Sequence, residues 1–215
     1  MIRIHRCKVT KISILLVYFF IWAASALADP NEDLAAGLAA GKKGYYSEAI
    51  RLFSRGIKSG TIQRESLASA FNNRGVAYRR KGLFDLAITD YSRAIQLNPE
   101  FATAYSNLGL AYSKQTRYEL AIANFNQAIR IDPHDADTYL KRGNAYYDKG
   151  MFDQAVTDYT RAIELQPDFL IAYYNRSDAY RQKGLFQKAL MDYLKVLDLN
   201  PDVESLEEAF QQWSP

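Results

Sequence analysis

Cysteine and histidine are nearly absent from this chain of 215 residues. The single cysteine is Cys7, and the two histidines are His5 and His134. From residue 29 onward there is no thiol, which excludes a disulfide framework, a thiolate nucleophile and a cysteine metal ligand in that part of the chain. His134 follows Pro133 in a predicted turn and has no partner motif, so we expect a solvated loop residue rather than a general base.

The short motifs that bring catalytic or cofactor chemistry are also missing. The sequence has no glycine-rich phosphate loop, no histidine–glutamate zinc motif and no serine nucleophile elbow. Carboxylates at Asp85, Asp90, Asp153 and Asp158 recur with the repeat described below. This recurrence predicts helix-start and surface positions, because a catalytic pair needs two different environments. We therefore expect no enzyme activity, no cofactor and no metal site, with an enzyme of unrecognised type as a distant alternative.

An excess of charge of either sign is missing once the first 28 residues are set aside. These contain Arg3, Arg6, Lys8 and Lys11 and no acid, so the remainder carries 23 basic and 24 acidic residues. Nucleic-acid binding by counterion release needs a concentrated basic surface. A nearly neutral body with both signs interspersed predicts no nucleic-acid partner.

The one long hydrophobic run lies at the start of the chain, over residues 12–24, behind the four cations. It leads to Ala26-Leu27-Ala28, which puts small residues at the two positions that signal peptidase requires. We expect a signal peptide over 1–28, cleavage after Ala28 and an exported body, most simply in a bacterial periplasm. The alternatives are a secreted protein, or an uncleaved inner-membrane anchor with a periplasmic body, since 12–28 is just long enough to span a bilayer. A membrane partner is expected only if the leader is uncleaved.

The rest of the chain repeats itself every 34 residues. The repeat is marked by four ladders of equivalent positions, each of one chemical kind. The prolines are Pro99, Pro133, Pro167 and Pro201; the small residues are Ala87, Ala121, Ala155 and Ala189; the aromatics are Tyr91, Phe125, Tyr159 and Tyr193, and also Tyr78, Tyr112, Tyr146 and Tyr180.

These residues resemble the tetratricopeptide repeat family, whose unit carries an aromatic residue, Leu-Gly, Tyr, Ala, Phe and Pro in 34 positions. The unit that matches most fully reads Tyr105, Leu108-Gly109, Tyr112, Ala121, Phe125 and Pro133. Two later units depart from it, with Arg142 in place of the leucine and Arg176-Ser177 in place of Leu-Gly. The resemblance implies an all-α fold, a right-handed α-solenoid of stacked helix-turn-helix repeats.

Helical periodicity supports the same architecture independently. Tyr105, Leu108 and Tyr112 share one helix face, and Ala121, Phe125 and Ala128 share a face of the next segment. Gly82, Gly150 and Gly184 are suited to end the first helix of a pair, and each proline ends the second. We expect Gly75, Gly109 and Gly143 to allow close helix approach against Ala87, Ala121 and Ala155.

The repeat predicts the domain organisation. A degenerate first repeat covers 29–60, and 61–201 holds four repeats at about 68–101, 102–135, 136–169 and 170–201. About four extra residues near Ser59-Gly60-Thr61 predict a lengthened turn or an extended helix, with possible hinge character. Residues 202–215 place Val203, Leu206, Phe210 and Trp213 on one face, which predicts a C-terminal capping helix.

The resemblance also assigns first-helix residues to a concave groove. Tyr147 and Tyr174 would serve there as aromatic anchors, which give a large contact area at a small entropy loss. Asparagine amides in the groove can pair with both the carbonyl and the N–H of an extended peptide. The other expected groove residues are polar or basic: Asn73, Arg79, Asn107, Lys114, Lys141, Asn144, Asn175 and Arg181. For each of these residues a simply solvated helix face is the alternative.

Some members of the family clamp a C-terminal carboxylate with two asparagines and three basic residues. Asn144 and Asn175 fit the asparagine positions, but Leu140, Ser205 and Ala209 occupy the basic ones. That clamp is therefore not predicted. We expect a non-enzymatic scaffold that binds a protein or peptide in the groove, the alternative being a self-associating assembly protein; the sequence leaves the oligomeric state open.

Overall fold

The computed structural model describes residues 29–200, and those residues form ten helices and no strand. The signal peptide predicted over 1–28 and the capping helix predicted over 202–215 lie outside the described residues. In chain order the helices are α1 (Pro30–Lys42), α2 (Tyr46–Lys58), α3 (Arg64–Arg80), α4 (Phe84–Leu97), α5 (Ala102–Lys114), α6 (Tyr118–Ile131), α7 (Ala136–Asp148), α8 (Phe152–Leu165), α9 (Leu170–Gln182) and α10 (Phe186–Leu199). Over 29–200, none of them is long and apolar enough to cross a bilayer.

The chain divides into two compact units at Gln63 and Arg64. In the described part of the first unit, α1 and α2 pack against each other. The ring of Phe53 is buried there, and its nearest carbon would lie 3.0 Å from a Cβ placed on Gly37. The buried carboxylate of Asp33 accepts a hydrogen bond from Arg55 Nε at 2.6 Å, which holds the pKa of Asp33 below its usual value.

The described part of the second unit, residues 64–200, is a stack of four helix pairs, α3–α4, α5–α6, α7–α8 and α9–α10. Each first helix packs against the second helix of its own pair and, from α5 onward, against the second helix of the preceding pair. Because one pair cannot cover its apolar side chains alone, each interface between pairs continues the core of the last. The prediction of an all-α solenoid of helical hairpins is confirmed.

The extra residues that interrupt the 34-residue register belong mostly to α3. This helix is 17 residues long, whereas α5, α7 and α9 each have 13. Its additional turn begins at Arg64, and Arg64 Nε donates to the carbonyl of Leu97 at 2.8 Å, at the far end of α4. Of the two predicted forms, the extended helix is the one adopted; hinge character stays a prediction.

Glycines with positive φ end three of the first helices, as expected. Gly82 and Gly150 have φ of +75° and Gly184 has +70°, the left-handed region that glycine enters without steric cost. In the second pair of the stack, Thr116 takes this place with φ of +59°. A β-branched residue is strained in that conformation.

Alanine and aromatic residues form the core of the stack. Ala87, Ala121, Ala155 and Ala189 have no exposed surface, and Tyr91, Phe125, Tyr159 and Tyr193 are buried. The expected close approach of glycine to alanine is found at Gly109, where a Cβ would lie 3.0 Å from the carbonyl oxygen of Ala121, but at all three glycines the nearest atoms belong to an aromatic ring. A Cβ on Gly75, Gly109 or Gly143 would lie 2.7, 2.8 or 2.6 Å from the ring of the aromatic residue sixteen positions later. The glycine leaves space for this ring. The aromatic residue lies one turn after the alanine on the second helix, and its side chain extends across to the glycine on the first helix.

Three buried ion pairs recur with the repeat, and they correct the prediction that all the repeating carboxylates lie on the surface. Asp90, Asp158 and Asp192 are buried, whereas Asp85 and Asp153 are exposed as expected. The pairs join the first helix to the second at N–O distances of 2.8, 2.8 and 2.7 Å: Arg74–Asp90, Arg142–Asp158 and Arg176–Asp192. Burial raises the pKa of Asp158, although Arg142 opposes that shift.

Each of these arginines also lies between two aromatic rings of its own helix. The guanidinium carbon of Arg142 is 5.6 Å from the centre of the Tyr139 ring and 6.0 Å from that of Tyr146. Arg74 and Arg176 are placed in the same way. The arginine that replaces the family's leucine therefore keeps the packing of that position and adds an ion pair.

Candidate binding cleft

The first helices of the second unit form its inner side. Successive first helices, α3 with α5, α5 with α7 and α7 with α9, pack more closely than successive second helices do. Elements on the inside of a curved stack lie closer together than those on the outside. Side chains that leave the first helices away from the core therefore share one surface.

A cleft of about 320 Å³ lies on this surface, between α5, α7 and α9. Its floor includes the buried ring of Tyr159, which comes from α8. Two further tyrosines line it: Tyr147 is half-buried, and Tyr174 is 51% exposed. The other lining residues are Leu110, Ser113, Lys114, Lys141, Asn144, Ala145, Asp148, Asn175 and Asp178.

One wall of the cleft is held by hydrogen bonds to the Tyr147 hydroxyl. Tyr147 donates to the carboxylate of Asp178 and accepts from Gln182 Nε2 at 3.2 Å. Its ring meets that of Phe152 edge to face, with centroids 5.3 Å apart. Burial, followed by the bond to Asp178, raises the pKa of Tyr147. The ring is consequently a fixed part of the wall and not a freely turning surface side chain.

Two asparagine amides meet at the centre of the cleft. Asn144 Oδ1 accepts from the Tyr159 hydroxyl and from Asn175 Nδ2, both at 2.8 Å. These bonds orient both amides, and among residues 29–200 nothing pairs with Asn144 Nδ2 or Asn175 Oδ1. The cleft thus presents one unused donor and one unused acceptor, the two groups that a peptide backbone can satisfy.

Six of the ten predicted groove residues line this cleft: Lys114, Lys141, Asn144, Tyr147, Tyr174 and Asn175. Lys141 is held by Asp137 at 2.5 Å and by the Ser106 hydroxyl at 3.2 Å, so its charge is already partly neutralised.

The other four predicted residues lie outside the lining. Asn107 donates to Asn72 Oδ1 at 3.0 Å, and Asn73 lies beside Asn72. Arg181 supports the wall indirectly, because its Nε donates to Asp178 at 2.8 Å. Arg79 belongs to α3, the first helix of the pair that precedes α5 and α6.

Six lining residues were not predicted: Leu110, Ser113, Ala145, Asp148, Tyr159 and Asp178. Leu110, Asn144 and Asp178 stand 34 residues apart, as do Ser113 and Tyr147, and Lys114 and Asp148. If each predicted groove position had been transferred to the equivalent position of every repeat, Leu110, Ser113, Asp148 and Asp178 would also have been predicted. Tyr159 could not be found in that way, because its position was assigned to the core.

The cleft carries charges of both signs and no metal-binding group. Lys114 and Asp148 make no ion pair within residues 29–200, while Asp178 is neutralised by Arg181. No group of three His, Cys, Asp or Glu residues suited to a metal ion occurs in that range. The arrangement offers aromatic contact, amide hydrogen bonds and two unpaired charges of opposite sign.

Comparison with protein families gives a consistent match over most of the stack. A family model described as "TPR repeat" matches residues 75–116, 114–150 and 143–184, and one described as "Tetratricopeptide repeat" matches 170–203. A human protein named tetratricopeptide repeat protein 13 is 40% identical over 75 residues. That match covers 33% of this chain and 8% of the human protein.

Solved structures share the fold. A crystal structure of MamA is 28% identical, with a TM-score of 0.68 over 82% of this chain and 96% of that one. MamA from residue 41 onward from Desulfovibrio magneticus RS-1 is 19% identical, with a TM-score of 0.72 over 83% and 99%. YrrB, described as a TPR protein with an unusual peptide-binding site, is 21% identical, with a TM-score of 0.64 over 80% and 86%.

Proposed function

The chain belongs to the tetratricopeptide repeat family, and we propose that it is a non-enzymatic scaffold that binds a segment of another protein in the cleft between α5, α7 and α9. The observation that carries the proposal is the pair of asparagines whose remaining donor and acceptor face an aromatic-lined cleft. YrrB is described as having a peptide-binding site on a related fold. That description supports peptide binding here only by analogy.

The physical basis of binding is preorganisation. The hydroxyl of Tyr159 and the amide of Asn175 fix Asn144 before any partner arrives, and Asp178 fixes Tyr147. A partner therefore loses its own freedom but causes little reordering of the cleft. Tyr174, which is 51% exposed, has the most apolar surface left to bury on binding.

The compartment is part of the proposal. The basic and apolar leader over 1–28 supports export to the cell envelope, most simply to a periplasm. Mass spectrometry of the protein from its native host tests this: a mature chain beginning at Asp29 supports cleavage after Ala28. A chain retaining residues 1–28 and sedimenting with membranes would instead support the anchored form.

Site-specific photocrosslinking tests the cleft directly. A photoreactive amino acid at Tyr174 should give a partner adduct in intact cells. The matched control is the same amino acid at Leu86, which is 48% exposed on α4 and does not line the cleft. Equal adducts at the two positions, or none at Tyr174, would contradict binding in the cleft.

Self-association is the second candidate, because α10 also exposes Phe186, Met191 and Leu194. Sedimentation velocity across a hundredfold range of protein concentration separates the two functions. A monomer with a saturable partner supports the scaffold. A fixed oligomer in which the photoreactive amino acid at position 174 crosslinks only to a second copy of this chain would favour assembly.

A further inference from the structure

Three consecutive helices, α3, α4 and α5, each carry one polar side-chain atom that lacks the partner expected of a buried group. Arg79 Nε on α3, Tyr91 Oη on α4 and Ser113 Oγ on α5 are inaccessible to solvent and have no hydrogen-bond partner. An unsatisfied buried polar atom costs free energy, about 1–3 kcal/mol each. Such atoms are uncommon in native proteins.

The equivalent position two repeats later is fully satisfied, and the comparison shows what is missing. Tyr159 corresponds to Tyr91, and its hydroxyl donates to Asn144 at 2.8 Å. The residue corresponding to Asn144 is Val76, which offers no acceptor. Burial raises the pKa of Tyr91 to about 12, whereas the charge of the adjacent Arg79 and hydrogen bonding with its guanidinium act to lower it.

The 34-residue repeat places Arg79 beside Lys114. Tyr147 on α7 contacts Asp178 and Gln182 on α9. Two repeats earlier, the residue equivalent to Tyr147 is Arg79 on α3. The residues equivalent to Asp178 and Gln182 are Leu110 and Lys114 on α5. By this projection Arg79 lies next to Leu110 and Lys114, two of the residues that line the cleft.

Both of these cations lack a counterion. Neither Arg79 nor Lys114 has a carboxylate within 4 Å among residues 29–200, whereas Arg74, Arg142 and Arg176 are all paired. Two neighbouring unpaired cations repel each other and favour a bound anion. Arg79 and Lys114 have only donors to offer.

One repeat further along the same surface, the side-chain charge at the equivalent position is negative instead of positive. Asp148 on α7 corresponds to Lys114 on α5, is exposed, and makes no ion pair within the described residues. Packed helices lie about 8–10 Å apart, and an extended chain advances about 3.3 Å per residue. A peptide crossing both helices would therefore place side chains about three residues apart at Lys114 and at Asp148.

We propose that Arg79 and Lys114 form a subsite for an acidic side chain of the bound peptide, and that Asp148 takes a basic side chain about three residues away. The peptide then lies in one direction, with its acidic residue towards α3 and its basic residue towards α9. This subsite rests on the proposed function. It uses other residues than the two asparagines and three basic positions of the family's C-terminal carboxylate clamp.

Peptide selection tests the proposal with the full chain as bait. A displayed library of random 12-residue peptides is selected on the wild type, on Arg79→Gln with Lys114→Gln, and on Asp148→Asn. The matched control is Arg93→Gln with Arg130→Gln, which removes two cations from the exposed faces of α4 and α6. Arg79→Lys keeps the charge but not the planar donor group.

On the wild type we expect Asp or Glu at one position and Lys or Arg about three positions away, always on the same side. The acidic preference should disappear on Arg79→Gln with Lys114→Gln and persist on the Arg93/Arg130 control and on Arg79→Lys. The basic preference should disappear on Asp148→Asn. A synthetic peptide of the selected sequence should bind the double variant about tenfold more weakly by fluorescence anisotropy, and its Asp→Asn analogue should bind wild type and variant equally.

The melting temperature separates binding from folding. Because Arg79 Nε is buried without an acceptor, the double variant should melt no lower than the wild type. Selected peptides that depend on Tyr174 but show no acidic preference, or that keep it on the double variant, would overturn the subsite and leave the proposed function standing. Absence of any selected peptide on the wild type would overturn both.

Discussion

At the scale of single residues, the repeats of the second unit differ in whether a buried ion pair joins their two helices. Three of its four repeats join their helices through an Arg–Asp pair, while the second repeat has Leu108 and Asn124 at the same positions. Breaking a buried pair costs more than replacing it with side chains that need no charge partner. The ion pair is therefore one of two packings that this fold accepts.

Asp158→Ala should destabilise the chain by about 3–5 kcal/mol, because it leaves Arg142 buried without its carboxylate. Arg142→Leu with Asp158→Asn, which copies the second repeat, should cost under about 1.5 kcal/mol. Urea unfolding followed by circular dichroism measures both. A double variant as unstable as the single one would show that the pair itself is needed.

Glycine at the helix crossing is a second residue-scale requirement. Gly143→Ala should destabilise by about 1–3 kcal/mol despite alanine's better helix propensity, because its Cβ would lie 2.6 Å from the Tyr159 ring. The control is Gly41→Ala in α1, where the nearest atom is 3.9 Å away and a gain of up to about 1 kcal/mol is expected. Thermal unfolding of both variants should shift in opposite directions.

At the scale of the element, first and second helices differ in what surrounds them. A second helix such as α6 buries one stripe, Ala121, Phe125 and Ala128. The first helix α5 buries Ala104, Ser106, Leu108, Gly109 and Ala111, which lie on several sides of it. First helices contact elements on both sides in the stack, so only a narrow strip of each is left to face the cleft.

The turn between α5 and α6 is the element where the chain departs from its own pattern. Thr116→Gly should stabilise by about 1 kcal/mol, because glycine adopts φ of +59° without strain. Thr116→Ala keeps the strain and should give no such gain. Guanidinium unfolding compares the two variants, and equal midpoints would mean that the threonine conformation is relaxed.

At the scale of the whole molecule, stability is distributed along the stack of the second unit. Within residues 64–200 each pair makes its main contacts with the pairs next to it, so the free energy of unfolding of this part is approximately a sum over pairs and interfaces. A core mutation should therefore loosen its own pair and the adjacent interfaces before distant ones.

Phe125→Ala should lower the free energy of unfolding by about 3–5 kcal/mol, because this ring is completely buried at the centre of the stack. Hydrogen exchange should rise first in α5 and α6 and least in α10. Met191→Ala, at a position 72% exposed, should change stability by under about 0.5 kcal/mol. Uniform acceleration of exchange in all helices would contradict this local response.

The sequence by itself determined the helices, their pairing and their core. The prolines, glycines, alanines and aromatics act through local conformation and through periodic burial, and both leave a pattern along the chain. Only the tertiary structure decided which partner each buried group has. Asp158 meets Arg142, and Gly143 meets the Tyr159 ring, because those contacts depend on the angle between two helices. The cleft depends on it too: which polar residues of α5, α7 and α9 stay exposed follows from how closely the first helices pack, and the sequence carries no separate signal for that distance.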